Sequence, residues 1–315
     1  MRTLTFGFLA LTLAGSLQAG PKVYKAYPYD GSPFDKHAEL GKEWKDLANQ
    51  WKEKVAPEPV LKRQLEIIEA ISAQEPNWVD GYWQAADAAF QYGNTFSDPN
   101  DFAKARKLFE RGKKHADNCL KIQAENPLCK FYLGVNVGKM ASIDGIFASL
   151  KNAKLVEKMW VETTESPYNY QFSEKTSLQG ASRYALGMFY RLVPDFIVMK
   201  WLFDVRGDIS KSVAYHRENL HYDAPNVCSR TMFAVSLICE GKSDFTTQSG
   251  QEGLAQIREA RNLPVTSALY ASCAKDLPRL EKDPKMACGY ETSRQQETSE
   301  DEFKRQSKQT AANSH

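Results

Sequence analysis

The sequence predicts an all-α protein built as an irregular stack of helical hairpins. Three stretches, Glu75-Pro76-Asn77, Asn126-Pro127-Leu128 and Ala224-Pro225-Asn226, each place a proline before a run of aromatic, aliphatic and small residues. Proline is favoured in the first turn of a helix, because the N–H group that it lacks would be unsatisfied there anyway. No run of the sequence alternates strictly between apolar and polar residues, as a half-buried strand does. Stacked helical hairpins commonly form binding surfaces, so the pattern favours binding over catalysis.

The N-terminus has the pattern of a signal peptide. A short positive region, Met1-Arg2, precedes an apolar run from Leu4 to Leu13, and a small residue follows at Ala19. This predicts a signal peptide over residues 1–19, cleaved after Ala19. A retained membrane helix is disfavoured, because the run is short for a bilayer core of about 30 Å. No cysteine lies near the cleavage point to anchor a lipoprotein. We expect a periplasmic or secreted protein with no membrane span in the mature chain.

The amino-acid composition disfavours one class of partner, the nucleic acids. The chain has 315 residues, of which 42% are hydrophobic and 25% charged, and these fractions are ordinary for a globular protein with a sizeable core. Its net charge is +2, and basic and acidic residues are interspersed. Nucleic-acid binding normally requires a clustered basic face, so no nucleic-acid partner is expected.

All six cysteines lie in the mature part, at Cys119, Cys129, Cys228, Cys239, Cys273 and Cys288. An even count in an oxidising compartment favours disulfides. Cys228 and Cys239 cannot pair with each other if they share one helix, because they would lie about 16 Å apart along its axis. A bridge between Cys119 and Cys129, across the turn of a hairpin, is the best single prediction. The other four could pair as 239–273 with 228–288, or Cys273 could take Cys288.

The N-terminal region, residues 20–59, is predicted to be a strap followed by a helix. Residues 20–35 hold tyrosines, prolines and glycines without a period, which is typical of an extended strap laid over a fold. Residues 36–54 carry Trp44 and Trp51 on one face of a predicted helix. The Ala56-Pro57-Glu58-Pro59 stretch ends this region, and a helical domain is expected over residues 60–281.

Within that domain, apolar residues recur with a helical period in successive segments. Asp101 is placed to cap one helix, and residues 164–174 interrupt the series as a polar, aromatic loop. Helices are expected over 60–73, 76–92, 101–119, from Pro127 onward, 142–163, from Lys175 onward, 209–220, 225–240, 250–262 and 266–281.

The most apolar part of the mature chain is residues 184–203. Pro194 should break the helix that begins at Lys175. This region is either the buried centre of the fold or an exposed apolar surface for a lipid or a partner. Beyond the helical domain, residues 282–290 form a C-terminal segment that a disulfide could tether. Residues 291–315 are polar and are expected to be a disordered tail.

Some of the hairpins resemble the tetratricopeptide repeat. Ala105, Phe109 and Gly112 have the spacing of its second-helix positions, while Leu133-Gly134 and Phe233-Ala234 look like its first-helix step. The segment from Pro76 to Pro127 is longer than one repeat of about 34 residues. The resemblance therefore implies divergent tetratricopeptide-like pairs arranged as an irregular α-solenoid.

Two families with such irregular pairs are similar to this chain over roughly residues 60–281. They are the regulator of microtubule dynamics family and the periplasmic T component associated with TRAP transporters. The similarity lies in the Trp-rich helix at 78–90, the Arg106 to Ala116 stretch and the later hairpin at 209–263. The signal peptide fits the exported bacterial family better. The missing lipoprotein cysteine departs from a membrane-anchored version.

The sequence contains no catalytic motif that withstands inspection. Gly134 to Lys139 is one residue too short for a phosphate-binding loop, and Met140 replaces the Ser or Thr that would hold magnesium. His216 and His221, with Arg217, Glu218 and Asp223 nearby, form the densest titratable group, but their spacing puts the two histidines on different helical faces. There is no Cys-x-x-Cys and no histidine cluster for a metal. We therefore predict no catalytic residue, metal or cofactor, and an enzyme whose catalytic residues are distant in the sequence stays a further hypothesis.

Binding through a concave face is the function that the sequence favours. Such a face takes its side chains mainly from the first helix of each hairpin, which makes Trp78, Tyr82, Phe131, Tyr132 and Arg183 candidate binding residues. The alternative for these aromatic residues is that they belong to the core. The favoured hypothesis is an exported binding module for a protein or peptide partner. The second hypothesis is a periplasmic carrier of a small molecule or lipid with an apolar cavity near residues 184–203, associated with a transporter.

Overall fold

The computed structural model describes residues 22–52, 54–292, 295–296 and 305, and its fold is all-α as predicted. The helices are α1 (Ser32–Lys36), α2 (Ala38–Gln50), α3 (Glu58–Gln74), α4 (Val79–Asn94), α5 (Phe102–Ile122), α6 (Pro127–Asp144), α7 (Ile146–Glu165), α8 (Leu178–Leu192), α9 (Ile197–Phe203), α10 (Ile209–Tyr222), α11 (Val227–Glu240), α12 (Gln248–Ala260), α13 (Ala268–Lys275) and α14 (Leu277–Lys282). The strands have two residues each: β1 (Lys25–Ala26), β2 (Tyr168–Asn169), β3 (Glu291–Thr292) and β4 (Gln295–Gln296).

The helices stack as hairpins in chain order. The hairpins are α4 with α5, α6 with α7, α8 with α10, and α11 with α12, and each packs against the next. The leading helices α4, α6, α8 and α11 also contact one another in that order, so they form an inner row. Close approach within a hairpin depends on small residues: a Cβ at Gly134 of α6 would lie 2.5 Å from the indole nitrogen of Trp160 of α7.

Of the three prolines that were expected to open helices, only one lies inside its helix. Pro127 is the first residue of α6, and Asn126 caps that helix by accepting from the N–H groups of Leu128 and Cys129. Pro76 precedes α4 by a turn, and Pro225 precedes Asn226, the capping residue of α11. Asp101 occupies the N-cap position of α5, but its carboxylate pairs with Lys104 instead of capping the helix. Pro194 ends its helix as expected, because α8 stops at Leu192 and α9 begins at Ile197.

The N-terminal strap lies along the stack and is fastened by a buried carboxylate. β1 pairs in parallel with β2, which lies in the loop after α7. Asp80 of α4 accepts hydrogen bonds from the Tyr27 hydroxyl at 2.8 Å, the Asp30 N–H at 2.8 Å and the Trp83 indole at 2.6 Å. We call this group the Asp80 clamp. The predicted strap is thus extended only up to α1, which begins at Ser32, and the predicted helix over 36–54 is α2.

All six cysteines form disulfides, as predicted, and Cys119 pairs with Cys129. The other two bridges are Cys228–Cys273 and Cys239–Cys288, so both pairings proposed from the sequence for these four cysteines were wrong. The reason is the path of the chain. α12 runs back antiparallel to α11, so α13 meets the start of α11, where Cys228 lies. The chain then returns to the end of α11, where the Ser243 hydroxyl contacts Cys288.

The apolar region at 184–203 divides into a buried part and an exposed part. In α8, Ala185, Leu186 and Phe189 are buried in the main core, which α4, α6 and α7 complete. In α9, Met199 is buried, whereas the exposed fractions of Ile197 and Trp201 are 78% and 82%. This region is therefore buried core in α8 and partly exposed apolar surface in α9, and a role of that surface in binding a lipid or a partner stays a prediction.

Three disulfides are consistent with an oxidising extracellular or periplasmic compartment. No helix in the described part of the chain is long and apolar enough to cross a membrane. The predicted signal peptide, residues 1–19, lies outside the described residues. So does most of the predicted tail at 291–315, of which the structure describes the antiparallel pair β3 and β4 and Arg305. Residues 282–290 are tethered through Cys288.

Candidate functional site

The inner row of helices lines a half-open cavity of about 550 Å³. α4 contributes Asp87 and Phe90 to its lining, α6 contributes Phe131 and Tyr132, and α8 contributes Tyr184, Ala185 and Met188. The start of α11 adds Cys228 and Ser229. Small-molecule sites commonly have volumes of about 300–1,000 Å³. The cavity is therefore large enough for a whole small ligand.

Aromatic rings form much of the cavity wall. Tyr132 stacks on Trp83 with ring centroids 5.9 Å apart, which fixes its orientation from behind. Phe172, from the loop after β2, packs against Phe131 at 6.1 Å and Tyr132 at 6.0 Å. Packing on several sides holds these rings in place, so the wall is preformed and offers flat apolar faces to a ligand.

Asp87 is the carboxylate of the α4 side of the cavity. Its Oδ1 accepts a hydrogen bond from the Gln91 side chain at 3.2 Å, and the Tyr132 hydroxyl also donates to it. Burial raises the pKa of Asp87 to about 6, although both hydrogen bonds oppose that shift. Burial likewise raises the pKa of Tyr132, and the neighbouring Asp87 adds to that rise. The carboxylate is thus mostly ionised near pH 7 and becomes protonated in mild acid.

Lys139 brings a positive charge to the same side. Lys139 is 6% exposed, and its ammonium group lies over the Phe90 ring, 5.9 Å from the ring centroid. The sequence places Lys139 after two glycines, but those glycines lie inside the continuous helix α6, so no phosphate-binding loop forms. Lys139 and Asp87 together place charged groups on the α4–α6 side of the cavity, close to the aromatic part of its wall.

Asp223 lines the opposite side, at the connection from α10 to α11. It accepts from the Ser177 N–H at 2.7 Å, from the Ser177 hydroxyl at 2.8 Å and from the Asn219 amide at 3.3 Å. Burial raises its pKa to about 6, against the effect of these hydrogen bonds. Glycine is required at 180, because a Cβ there would lie 2.0 Å from the Asp223 carboxyl carbon. Because protein donors already occupy both oxygens, Asp223 is mainly a structural anchor of this side.

Three connections between helices complete the lining. They are residues 54–56 before α3, residues 172–176 before α8, and residues 266–270 at the start of α13. The first two are linked by an ion pair between Lys52 and Glu174, with Nζ and Oε1 3.5 Å apart. The Tyr270 side chain is hydrogen-bonded to Thr176, which links the second and third connections.

Of the five candidate binding residues, Phe131 and Tyr132 line the cavity. Trp78 is buried against Phe34, and its indole donates to the Asp30 carbonyl at 2.8 Å. Tyr82 lies beside His115 of α5, and its hydroxyl donates to the Pro76 carbonyl.

Arg183 fastens the strap instead of facing the cavity. Its guanidinium donates to the Tyr24 hydroxyl at 2.9 Å and to Glu218 at 3.0 Å, and stacks over the Tyr222 ring. The structure therefore brings together two of the five candidates.

Sequence reasoning missed Asp87, Lys139 and Asp223. A signal was present for Asp87: it is the single charged residue in the run Ala85-Ala86-Asp87-Ala88-Ala89. A carboxylate on an alanine-rich helical face costs free energy to bury unless hydrogen bonds compensate, so its presence there indicates a polar site. No comparable signal existed for Asp223, because its place in the cavity depends on how α8 and α10 meet.

His216 and His221 do not converge. The His216 ring is buried against Gly187 and the Tyr184 ring, and burial lowers its pKa to about 3. His221 is exposed at the end of α10. Among the residues that the structure describes, no group of three or more His, Cys, Asp or Glu side chains is placed to hold a metal ion.

No protein-family model and no curated protein matches the chain. The cavity and its residues are therefore the features of this chain that indicate a function.

Proposed function

We propose that this chain is an exported helical-repeat protein that binds a small amphipathic molecule in the cavity of its inner helical row. The observation that carries the proposal is the combination of a volume of about 550 Å³ with a lining of aromatic and aliphatic side chains. Asp87 and Lys139, on the α4–α6 side, supply charged groups that can orient a ligand. The apolar body would lie against Phe131, Tyr132 and Phe172, and its polar group would face α4 and α6.

A peptide on the same face is less well supported. Phe172 already covers Phe131 and Tyr132, so an extended peptide would have to displace the loop that carries it. A small molecule needs only the space that is present. This contrast favours the carrier hypothesis over the peptide-binding groove.

We also propose that the protein is exported and that its helical pairs derive from tetratricopeptide-like repeats. The signal-peptide pattern ending at Ala19 supports export, and the three disulfides agree with an oxidising destination. The paired helices support a divergent tetratricopeptide-like architecture related to the exported T component of TRAP transporters. A ligand-binding role beside a transporter is consistent with both.

The test is a titration with the dye anilinonaphthalene sulfonate, which fluoresces in apolar cavities. We expect saturable binding to the wild-type protein, and weaker binding by at least about tenfold in Ala185→Trp, because the new ring occupies the cavity. Val135→Phe, also in the lining, is a second and smaller filling. Ala103→Trp is the matched control, because Ala103 is exposed on α5. Equal dye binding in all four proteins, with unchanged thermal melts, would contradict the proposal.

A second candidate function is favoured by a separate observation. α9 exposes Ile197 and Trp201, and large exposed apolar side chains grouped on one helix often mark a site for a protein partner. The test is a pull-down from the envelope fraction with wild type, Trp201→Glu and Ile122→Glu, the last changing an apolar residue that is 41% exposed elsewhere. A partner lost only with Trp201→Glu would support this role, and a partner retained by all three would exclude it.

A further inference from the structure

Two helices of the inner row each present one face to the cavity. The side chains that α4 contributes are spaced so that they share one helical face: Asp87, Phe90, Gln91 and Asn94. α8 contributes a face of the same spacing, made of Ala181, Tyr184, Ala185 and Met188. Asp87 is thus the one charged residue that these two faces present to a ligand.

The partners of Asp87 are neutral. Among the described residues, it accepts hydrogen bonds from the side chains of Gln91 and Tyr132 and forms no ion pair. A positive charge nearby would lower the pKa of a carboxylate. Only the two hydrogen bonds oppose the rise that burial causes in the pKa of Asp87. The carboxylate is therefore mostly ionised near neutral pH without a cation of the protein beside it.

Two lysines line the cavity, but neither balances this charge. Lys54 is exposed in the connection before α3, and the Lys139 ammonium group lies over the Phe90 ring. Neither lysine contributes to the shift in the pKa of Asp87. The positive charges of the lining are therefore separate from the carboxylate of α4.

The neutral hydrogen-bond donors on the same side are used within the protein. Besides Gln91 and Tyr132, they are the Asn94 amide, which donates to the Phe90 carbonyl, the Thr95 hydroxyl, which donates to the Tyr92 carbonyl, and the Trp160 indole, which donates to the Phe131 carbonyl. A carboxylate retains acceptor sites after accepting two hydrogen bonds. Asp87 therefore offers a ligand an acceptor with a negative charge.

The rings beside Asp87 also suit a cation. The Tyr132 hydroxyl donates to Asp87, so this ring lies next to the carboxylate, and Phe131 packs against Tyr132 with ring centroids 5.1 Å apart. Aromatic faces attract ammonium groups through the negative potential of the ring. The same rings provide an apolar surface for the rest of a ligand.

We propose that the ligand of the cavity is an organic amine, whose protonated amino group binds Asp87 while its apolar part lies against Phe131, Tyr132 and Phe172. This rests on the proposed function, because it names the polar group of the amphipathic molecule. An ammonium group supplies N–H donors and a positive charge, which together match an ionised carboxylate. A ligand carboxylate in the same place would be repelled by Asp87.

The experiment compares three ligands that share one phenylethyl body. At neutral pH, phenethylamine is a cation, phenethyl alcohol is neutral and hydrocinnamate is an anion. Isothermal titration calorimetry measures their dissociation constants. The wild type should bind phenethylamine at least about tenfold more tightly than phenethyl alcohol, because hydrogen bonds between charged groups are stronger than those between neutral ones. Hydrocinnamate should bind most weakly.

A charge variant assigns the preference to Asp87. Asp87→Asn keeps the size of the side chain and a carbonyl oxygen that can accept from Tyr132, and thermal melts check its fold. Its preference for the amine over the alcohol should fall below about threefold, because the charge is lost. Glu39→Gln removes an exposed carboxylate of α2 and is the control, which should keep the full preference of the wild type.

The outcomes separate this inference from the proposed function. If the dye titration supports the cavity but the amine binds no better than the alcohol or the anion, or binds not at all, the amine is wrong and the cavity function stands. An unchanged preference in Asp87→Asn also overturns the inference. If Ala185→Trp binds both the dye and phenethylamine like the wild type, the cavity function is wrong and the amine site falls with it.

Discussion

The two ends of the chain are attached to the helical stack in different ways. The N-terminal strap is held without a covalent bond, through the Asp80 clamp and through the contact of Tyr24 with Arg183. The C-terminal helices α13 and α14 have only eight and six residues, and two disulfides join this end to α11. Short helices bury too little apolar surface to hold themselves in place, whereas the strap carries tyrosines whose hydroxyls join a buried network. The strap is therefore held by its buried hydrogen bonds, whereas the C-terminal helices depend on disulfides.

The largest expected effect is the loss of a C-terminal bridge. Cys228→Ala/Cys273→Ala should reduce the free energy of unfolding by about 4 kcal/mol, against about 3 kcal/mol for Cys119→Ala/Cys129→Ala. The sequence separations are 45 and 10 residues, so the first bridge restricts the unfolded chain more. All four side chains are buried, which makes the local changes comparable. Urea unfolding measures both values, and the reverse order would contradict this explanation.

Breaking the Asp80 clamp comes next in size. Asp80→Ala leaves three donors without their acceptor, at a cost of roughly 3 kcal/mol. Hydrogen exchange at residues 24–30 should rise together with the loss of stability. Asp30→Asn is the control, because the Asp30 side chain accepts the exposed Ser32 N–H and is outside the buried network of Asp80. This substitution should cost less than about 0.5 kcal/mol. Equal losses in the two variants would show that Asp80 does not hold the strap.

Acid should destabilise the stack between the two ends through His216 of α10, which packs against Gly187 of α8. Burial lowers its pKa from 6.5 to about 3, so between those pH values the unfolded chain binds a proton that the folded chain does not. This group therefore removes stability as the pH falls, by about 2 kcal/mol at pH 5.

The measurement is the change in unfolding free energy between pH 7 and pH 5. His216→Leu should lose about 2 kcal/mol less than the wild type over this range. His221→Leu, on the exposed end of the same helix, should behave like the wild type. Asp87 and Asp223 titrate in all three proteins, so the difference isolates His216. Identical pH profiles for the wild type and His216→Leu would contradict the burial of a neutral ring.

The smallest effect concerns the strap at its second attachment. Tyr24→Phe removes the hydroxyl that accepts from Arg183 and donates to the Thr164 carbonyl, which should cost about 1 kcal/mol. Chemical denaturation measures the loss. Tyr29→Phe is the comparison, because its hydroxyl accepts only a long hydrogen bond of 3.3 Å from Gln84. A larger loss of stability in Tyr29→Phe than in Tyr24→Phe would show that Tyr29, and not Tyr24, makes the stronger attachment of the strap.

Features that depend on local order were accessible from the sequence. The helical period located nearly every helix, Pro194 marked the break after α8, and the hairpin turn predicted Cys119–Cys129. Helix rise alone excluded a Cys228–Cys239 bridge. Each of these follows from geometry within one helix or one turn.

Features that depend on how distant segments meet were not accessible. The Cys228–Cys273 bridge requires the path of α12 and α13, and the place of Asp223 requires the meeting of α8 and α10. Trp78 and Arg183 are of the residue types found in binding sites, but both donate hydrogen bonds to the strap. The helical period of the sequence gives no sign of these contacts. The cavity itself depends on how the inner row of helices, their neighbours and three connections pack together.

Native mass spectrometry of the protein purified from an exporting host tests ligand binding most directly. The wild type should carry a small molecule as a mass adduct that Ala185→Trp lacks and that the exposed control Ala103→Trp retains. An adduct-free wild type, or the same adduct in Ala185→Trp, would contradict binding in the inner cavity.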